Sequence, residues 1–146
     1  THAHHDHWQA LAAVAEATGA TTVAHEADAS DIGATIDVTV SDGATISVGD
    51  VELRAVHLVG HTPGSIALVY DDPTGPPHVF TGDCLFPGGV GNTQKDAERF
   101  ASLYADVSEK LFGALPDETW VYPGHGKDTT IGAERPHLQE WLERGW

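Results

Sequence analysis

The chain has 146 residues, 40% of them hydrophobic and 20% charged, which fits one globular domain over residues 1–146. Its 22 acids against 7 bases leave a formal charge of −15 spread along the sequence, with no basic stripe of the kind a nucleic-acid binder needs to displace counterions. No apolar run is long enough to cross a bilayer, no signal-peptide pattern opens the chain, and the lone Cys84 rules out an internal disulfide framework, so a cytoplasmic protein that acts on a small molecule, without membrane or nucleic acid, is expected.

The first predicted element is a helix from Gln9 to Ala17, with Leu11, Val14 and Ala15 at helical spacing and Gly19 as its stop. Thr21 to Ala24 reads as a short strand, and the polar stretch Glu26 to Gly33 as loop. Ile36, Val38 and Val40 alternate with polar residues, as do Ile46 and Val48, and Val51, Leu53, Ala55 and His57 continue the period of two. Ser65 to Tyr70 is a further strand, turning through Asp71 to Pro77 into another at His78 to Thr81. Helical spacing returns from Asp96 to Leu111 through Phe100, Leu103, Val107 and Leu111. Trp120 to Tyr122 is a brief strand and Pro136 to Arg144 a last helix. The order predicts mixed α/β layers without repeats or linkers.

Chemistry concentrates first in Thr1-His-Ala-His-His-Asp-His7, where four of seven residues are His. In an extended segment His2 and His4 face the same way and reach one ion, while Asp6 and His7 are offered farther along. A purification tag would repeat His without Asp and would not lead into an amphipathic helix. Imidazole and carboxylate suit zinc, iron or manganese. Three later segments each end an apolar β-like run in a Gly-bearing turn with one metal-competent side chain: His61 in Val56 to Ser65, Asp83 in Val79 to Phe86, and His125 in Trp120 to Gly126. Groups that follow the carboxyl ends of strands converge at one sheet edge, which brings His61, Asp83 and His125 toward the first cluster. Taken singly, each is an ordinary turn or cap residue. His5, His25, His57, His78 and His137 fall outside the pattern, and Cys84 reads as a small buried side chain with no activating base.

Through H-x-H-x-D-H at His2 to His7, G-H-T-P-G-S at Gly60 to Ser65, T-G-D at Thr81 to Asp83 and P-G-H-G at Pro123 to Gly126, the sequence resembles the metallo-β-lactamase superfamily, in particular its glyoxalase II-like (hydroxyacylglutathione hydrolase-like) branch. The resemblance implies an α/β fold, the αββα sandwich, and a site for two zinc ions, with iron or manganese as alternatives. By it, His2, His4 and His61 hold the first ion, Asp6, His7 and His125 the second, and Asp83 bridges both. Two such ions lower the pKa of a shared water and polarise the scissile carbonyl of a thioester or related ester. Asp6 is the candidate catalytic residue, orienting the nucleophile or passing a proton to the leaving group.

Two departures accompany the likeness. The family's N-terminal strands precede the H-x-H-x-D-H loop at which this sequence starts, so the chain is expected to be an N-terminally incomplete portion with a sheet face and edge uncovered. The basic residues that hold glutathione in glyoxalase II have no counterpart in Leu85 to Gln94. Thr62, Ser65 and Thr81 are candidate supports for the ligands, Ser65 more simply a turn residue, and Arg135 an ion-pair residue at a helix start. Trp8 is expected against the site wall, and Phe86 with Gly88 to Asn92 either at the substrate or as a connector. A rival reading within the same superfamily is a persulfide dioxygenase with one iron on His2, His61 and Asp83. A fold-only interaction module is the non-enzymatic rival.

Overall fold

In the computed structural model, which describes residues 1–145, one 3-10 turn, His5–His7, leads to α1, Leu11–Thr18. α1 ends where Gly19 takes a left-handed φ of 68° and its N–H reaches the Ala15 carbonyl, the stop read from the sequence. None of its residues is buried, and Val14 is 53% exposed. β1 (Val23–His25) runs directly into a one-turn helix, α2 (Glu26–Ala29), inside the stretch expected to be loop. The reason is His25, whose Nδ1 accepts the Ala27 N–H and caps the turn. β2 (Val38–Val40) lies parallel to β1, with Val23 opposite Val38. Ile36 stays outside it.

The main sheet begins as an antiparallel meander of β3 (Thr45–Val48), β4 (Val51–His57), β5 (Ile66–Tyr70) and β6 (His78–Gly82). A small hairpin of β7 (Leu85–Phe86) and β8 (Gly89–Val90) follows, then α3 (Ala97–Asp106), which continues as a π-helical segment, Val107–Phe112. β9 (Trp120–Pro123) returns parallel to β6, β10 (Thr129–Thr130) pairs antiparallel with β9, and the strand order is β10-β9-β6-β5-β4-β3. The last described elements are α4 (Ile131–Glu134), a 3-10 turn at Arg135–His137 and α5 (Leu138–Arg144), so the predicted last helix, Pro136 to Arg144, starts in the 3-10 turn and is α-helical from Leu138. β7, β8, β10 and α4 were not legible in the sequence: each is only two to four residues long.

Register puts Val56, Ala67, Val69, Val79 and Val121 on one sheet face. Leu103, Val107, Leu111, Phe112 and Trp141 cover it, each at most 3% exposed, so the helical spacing read over Phe100 to Leu111 is the spacing of the buried stripe. Asp96 starts that helix by accepting the Glu98 and Arg99 N–H groups on its side chain. The opposite face carries Leu68, Tyr70, His78, Phe80, Trp120 and Tyr122 in register, and Phe80 and Trp120 are 42% and 43% exposed. That face is open there. No helix among the described residues is long and apolar enough to cross a membrane.

The charge of −15 on a chain this short sets carboxylate repulsion against the compact state. Raising NaCl from about 0.1 to 1 M shortens the screening length from about 10 to 3 Å. The thermal midpoint is expected to rise by a few degrees over that range, followed by circular dichroism, and a flat or falling midpoint counts against repulsion as a destabilising influence.

Candidate metal centre

β4 and β6 are both antiparallel to β5, and β9 is parallel to β6, so all three point the same way. His61 follows β4, Asp83 follows β6 and His125 follows β9, which places the three at one edge of the sheet. The N-terminal segment is fastened at the same edge, where the Ile66 N–H donates to the Thr1 carbonyl. All seven residues singled out in the sequence are therefore brought together.

They form two groups. In the first, His61 Nε2 lies 2.9 Å from His4 Nδ1 and 3.3 Å from His2 Nε2, and His2 Nε2 lies 3.0 Å from His4 Nδ1. In the second, His125 Nε2 is 3.1 Å from His7 Nε2 and 3.0 Å from Asp6 Oδ2. Asp83 stands between them: Oδ1 is 3.3 Å from His7 Nε2, and Oδ2 is 3.7 Å from both His61 Nε2 and His125 Nε2. Oδ1 is buried and has no hydrogen-bond partner. In the first group His2 and His61 are buried, at 3% and 6% exposure, and His4 is half-buried, whereas the Asp6 and His125 side chains are 55% and 56% exposed.

This donor set fits a metal ion. Zinc bonds of about 2.0–2.1 Å in a tetrahedron set ligand nitrogens roughly 3.3 Å apart, close to the spacings of the first group. Three imidazole nitrogens facing one another offer more lone pairs than they have protons to share, and the unpartnered Asp83 Oδ1 needs a positive neighbour. Burial pushes the His2 imidazole down to about 3, with His7, His61 and His4 adding to the effect, and burial also lowers His61. Both rings are thus neutral ligands at physiological pH. His61 is oriented for the role: Nδ1–H donates to the Asn92 carbonyl at 2.9 Å, leaving the Nε2 lone pair inward.

Several supports were not visible in the sequence. Arg99 donates through Nε to the Gly60 carbonyl at 2.8 Å and through Nη2 to the His61 carbonyl, clamping the loop after β4. A Cβ on Gly124 would stand 2.4 Å from Asp83 Oδ1 and 2.5 Å from His7 Cε1, and one on Gly91 would stand 1.7 Å from the Asp83 carbonyl oxygen. Glycine at these positions answers to close backbone approach, where the sequence indicated only a sharp turn at Gly124 and a substrate loop or connector at Gly91. Asp28, in the stretch read as loop, is 1% exposed and accepts from Ala3 N, Thr62 Oγ1 and Gly64 N. Ser65 is more than a turn residue, since its Oγ meets Thr62 Oγ1 at 2.6 Å. The loop through Gly88 to Asn92 holds His61, so it is no free connector.

Other residues lie as read. Trp8 packs over Gly33 and donates Nε1–H to the Ala3 carbonyl, beside the first group. Arg135 pairs with Asp117 and donates to the Phe112 carbonyl, a structural role. Cys84 is fully buried, which pushes its thiol up to about 12 and removes it as a nucleophile. His5, His25, His57, His78 and His137 belong to none of the potential metal clusters among the described residues.

The mixed α/β fold with an all-imidazole group and an imidazole–carboxylate group at the sheet edge, Asp83 between them, defines a metallo-hydrolase architecture, and the family model of the metallo-β-lactamase superfamily matches residues 1–125. The chain belongs to that superfamily. The hydroxyacylglutathione hydrolase of Polaromonas sp. is 44% identical over 126 residues, 86% of this chain and 46% of that protein. The crystal structure of ETHE1 from Myxococcus xanthus superposes with a TM-score of 0.81 at 33% identity, covering 99% of this chain and 65% of its own. TTHA1623 in a di-iron-bound form gives a TM-score of 0.71 at 30% identity, over 92% and 72% of the two chains. The chain spans about half the length of curated relatives such as the Polaromonas hydrolase.

The lowered His2 and His61 pKa values set a pH dependence for the metal-free protein. An unfolded His takes up a proton near 6.5, while folded His2 stays neutral to about 3, so the unfolded state binds more protons between these values. Stability is therefore lost as pH falls through that window. Melts of chelator-treated protein from about pH 7.5 to 4.5 should show a steadily falling midpoint, with a shallower slope in His2→Ala. A midpoint independent of pH below 6.5 rules the linkage out.

Proposed function

We propose that the protein hydrolyses a thioester or related ester of a small molecule at a centre of two zinc-like ions. The observation that carries the reading is Asp83, set between two imidazole groups with a buried Oδ1 that has no hydrogen-bond donor. His2, His4 and His61 would hold one ion and Asp6, His7 and His125 the other, with Asp83 set between the two groups. Two such ions, zinc or alternatively iron or manganese, would supply an acidified water and a positive field at the scissile carbonyl. The di-iron form of TTHA1623 supports the two-ion count, and the name of the Polaromonas relative supports a thioester.

The remaining work falls to the chain's own groups. Asp6 Oδ2 contacts His125 Nε2 on the solvent side of the site, where it can take up a proton and return it to a departing thiolate. A cleft of about 490 Å³ beside His4 and His61, lined also by Thr62, Pro63, Gln94 and Arg99, gives room for part of a substrate. The Arg99 guanidinium is committed to the Gly60 and His61 carbonyls, so it does not serve as a carboxylate clamp for glutathione. Activated thioesters of simple thiols are accordingly expected to compete well with those of glutathione.

Elemental analysis should find close to two metal ions per chain, and His125→Ala should retain about one. The same variant should lower kcat/KM for a small thioester by at least about 100-fold, the scale of losing one element of preorganised electrostatic stabilisation. A protein that carries one iron, consumes oxygen with a persulfide and keeps its metal in His125→Ala would replace this reading with the dioxygenase.

A further inference from the structure

Asp28 lies on neither strand edge nor metal group, yet it is among the most buried acidic side chains of the molecule, at 1% exposure. Its Oδ2 accepts the Ala3 N–H at 2.8 Å and the Thr62 hydroxyl at 2.6 Å, and its Oδ1 accepts the Gly64 N–H at 2.6 Å. Ala3 sits between His2 and His4, and Thr62 follows His61. One carboxylate thus ties together the two segments, distant in sequence, that carry the three imidazoles of the first group. Three charge-assisted hydrogen bonds satisfy it in place of a counter-ion. Gly64 closes the fit, since a Cβ there would lie 2.6 Å from Asp28 N and 2.8 Å from its Cγ. The second group, Asp6, His7 and His125, has no contact with Asp28.

We propose that Asp28 is a positioning residue for the first ion alone: it holds the H-x-H loop against the His61 loop so that His2 Nε2, His4 Nδ1 and His61 Nε2 converge before metal arrives. The inference rests on the two-ion reading above. Asparagine at this position has the size of aspartate but only one oxygen, so its NH2 faces a backbone N–H, donor against donor, at either Gly64 or Ala3. Supporting hydrogen bonds behind metal ligands are typically worth about 10–100-fold in metal affinity, and the loss here falls on one ion.

Two single-site backgrounds separate the ions. His125→Ala keeps the first group and His61→Ala the second. Zinc affinity is measured in each by competition with a chromophoric chelator, with and without Asp28→Asn, alongside circular dichroism of the metal-free proteins. Asp28→Asn should weaken zinc by about 10–100-fold in the His125→Ala background and leave the His61→Ala background within about threefold. Equal loss in both, or loss in neither, overturns the proposal. If Asp28→Asn does not fold, Thr62→Val, which removes one donor and keeps the branched shape, should give a smaller loss confined to the same background, and an equal loss in both or none overturns it. Wild-type protein that takes up no zinc would instead overturn the metal-centre reading itself, together with this inference. Wild type that binds two ions, with affinities indifferent to both substitutions, overturns only the role of Asp28.

Discussion

Asp83 carries the constraint around which the rest is arranged. Its Oδ1 is buried without a donor, and imidazole nitrogens stand 3.3 to 3.7 Å from its two oxygens. A buried acceptor left unsatisfied costs about 1–3 kcal/mol, more when charged, and burial favours the neutral form of the His61 ring, whose Nε2 lies 3.7 Å from Asp83 Oδ2 and offers it a lone pair. Packed alone, these groups oppose one another. A divalent cation among them turns each opposition into an attraction, which couples metal uptake to the stability of the fold.

Such a centre needs a frame stiff enough to hold mutually repelling groups, and the sheet supplies it. Val56, Val79 and Val121 anchor β4, β6 and β9 in the core only a few residues before His61, Asp83 and His125. The covering helix then grips the loop after β4: Asp106 accepts the Val59 N–H, Lys110 donates to the His57 carbonyl, and Arg99 to those of Gly60 and His61. Helix and loop reinforce each other, because a Cβ on Gly60 would collide with Leu103. The two halves of the site differ in their surroundings. His2 and His61 are shielded, while Asp6 and His125 face solvent.

The sequence alone nominated the candidate site residues. His61, Asp83 and His125 were legible because each sits in a Gly-bearing turn after an apolar run, and His2, His4, Asp6 and His7 because they crowd into the first seven residues; their grouping as one set came from the resemblance to the family. The strands and the stripe of Phe100, Leu103, Val107 and Leu111 were legible for a related reason: periods of two and near four record which side faces the core. Tertiary structure decided what pattern does not encode. Asp28 looks like any solvated acid in a polar stretch, and only the approach of Ala3, Thr62 and Gly64 from far along the chain makes it a buried tie. Arg99 lies off the apolar stripe of its helix, and only its carbonyl partners show what it holds; Gly124 reads as a turn until Asp83 and His7 crowd against it, and Gly91 as part of a substrate loop or connector until the Asp83 carbonyl does. α1 shows the reverse, a helix with apolar spacing none of whose residues is buried. Local periodicity fixes which way a side chain points, but what it meets there is set by chain segments that lie near only after folding.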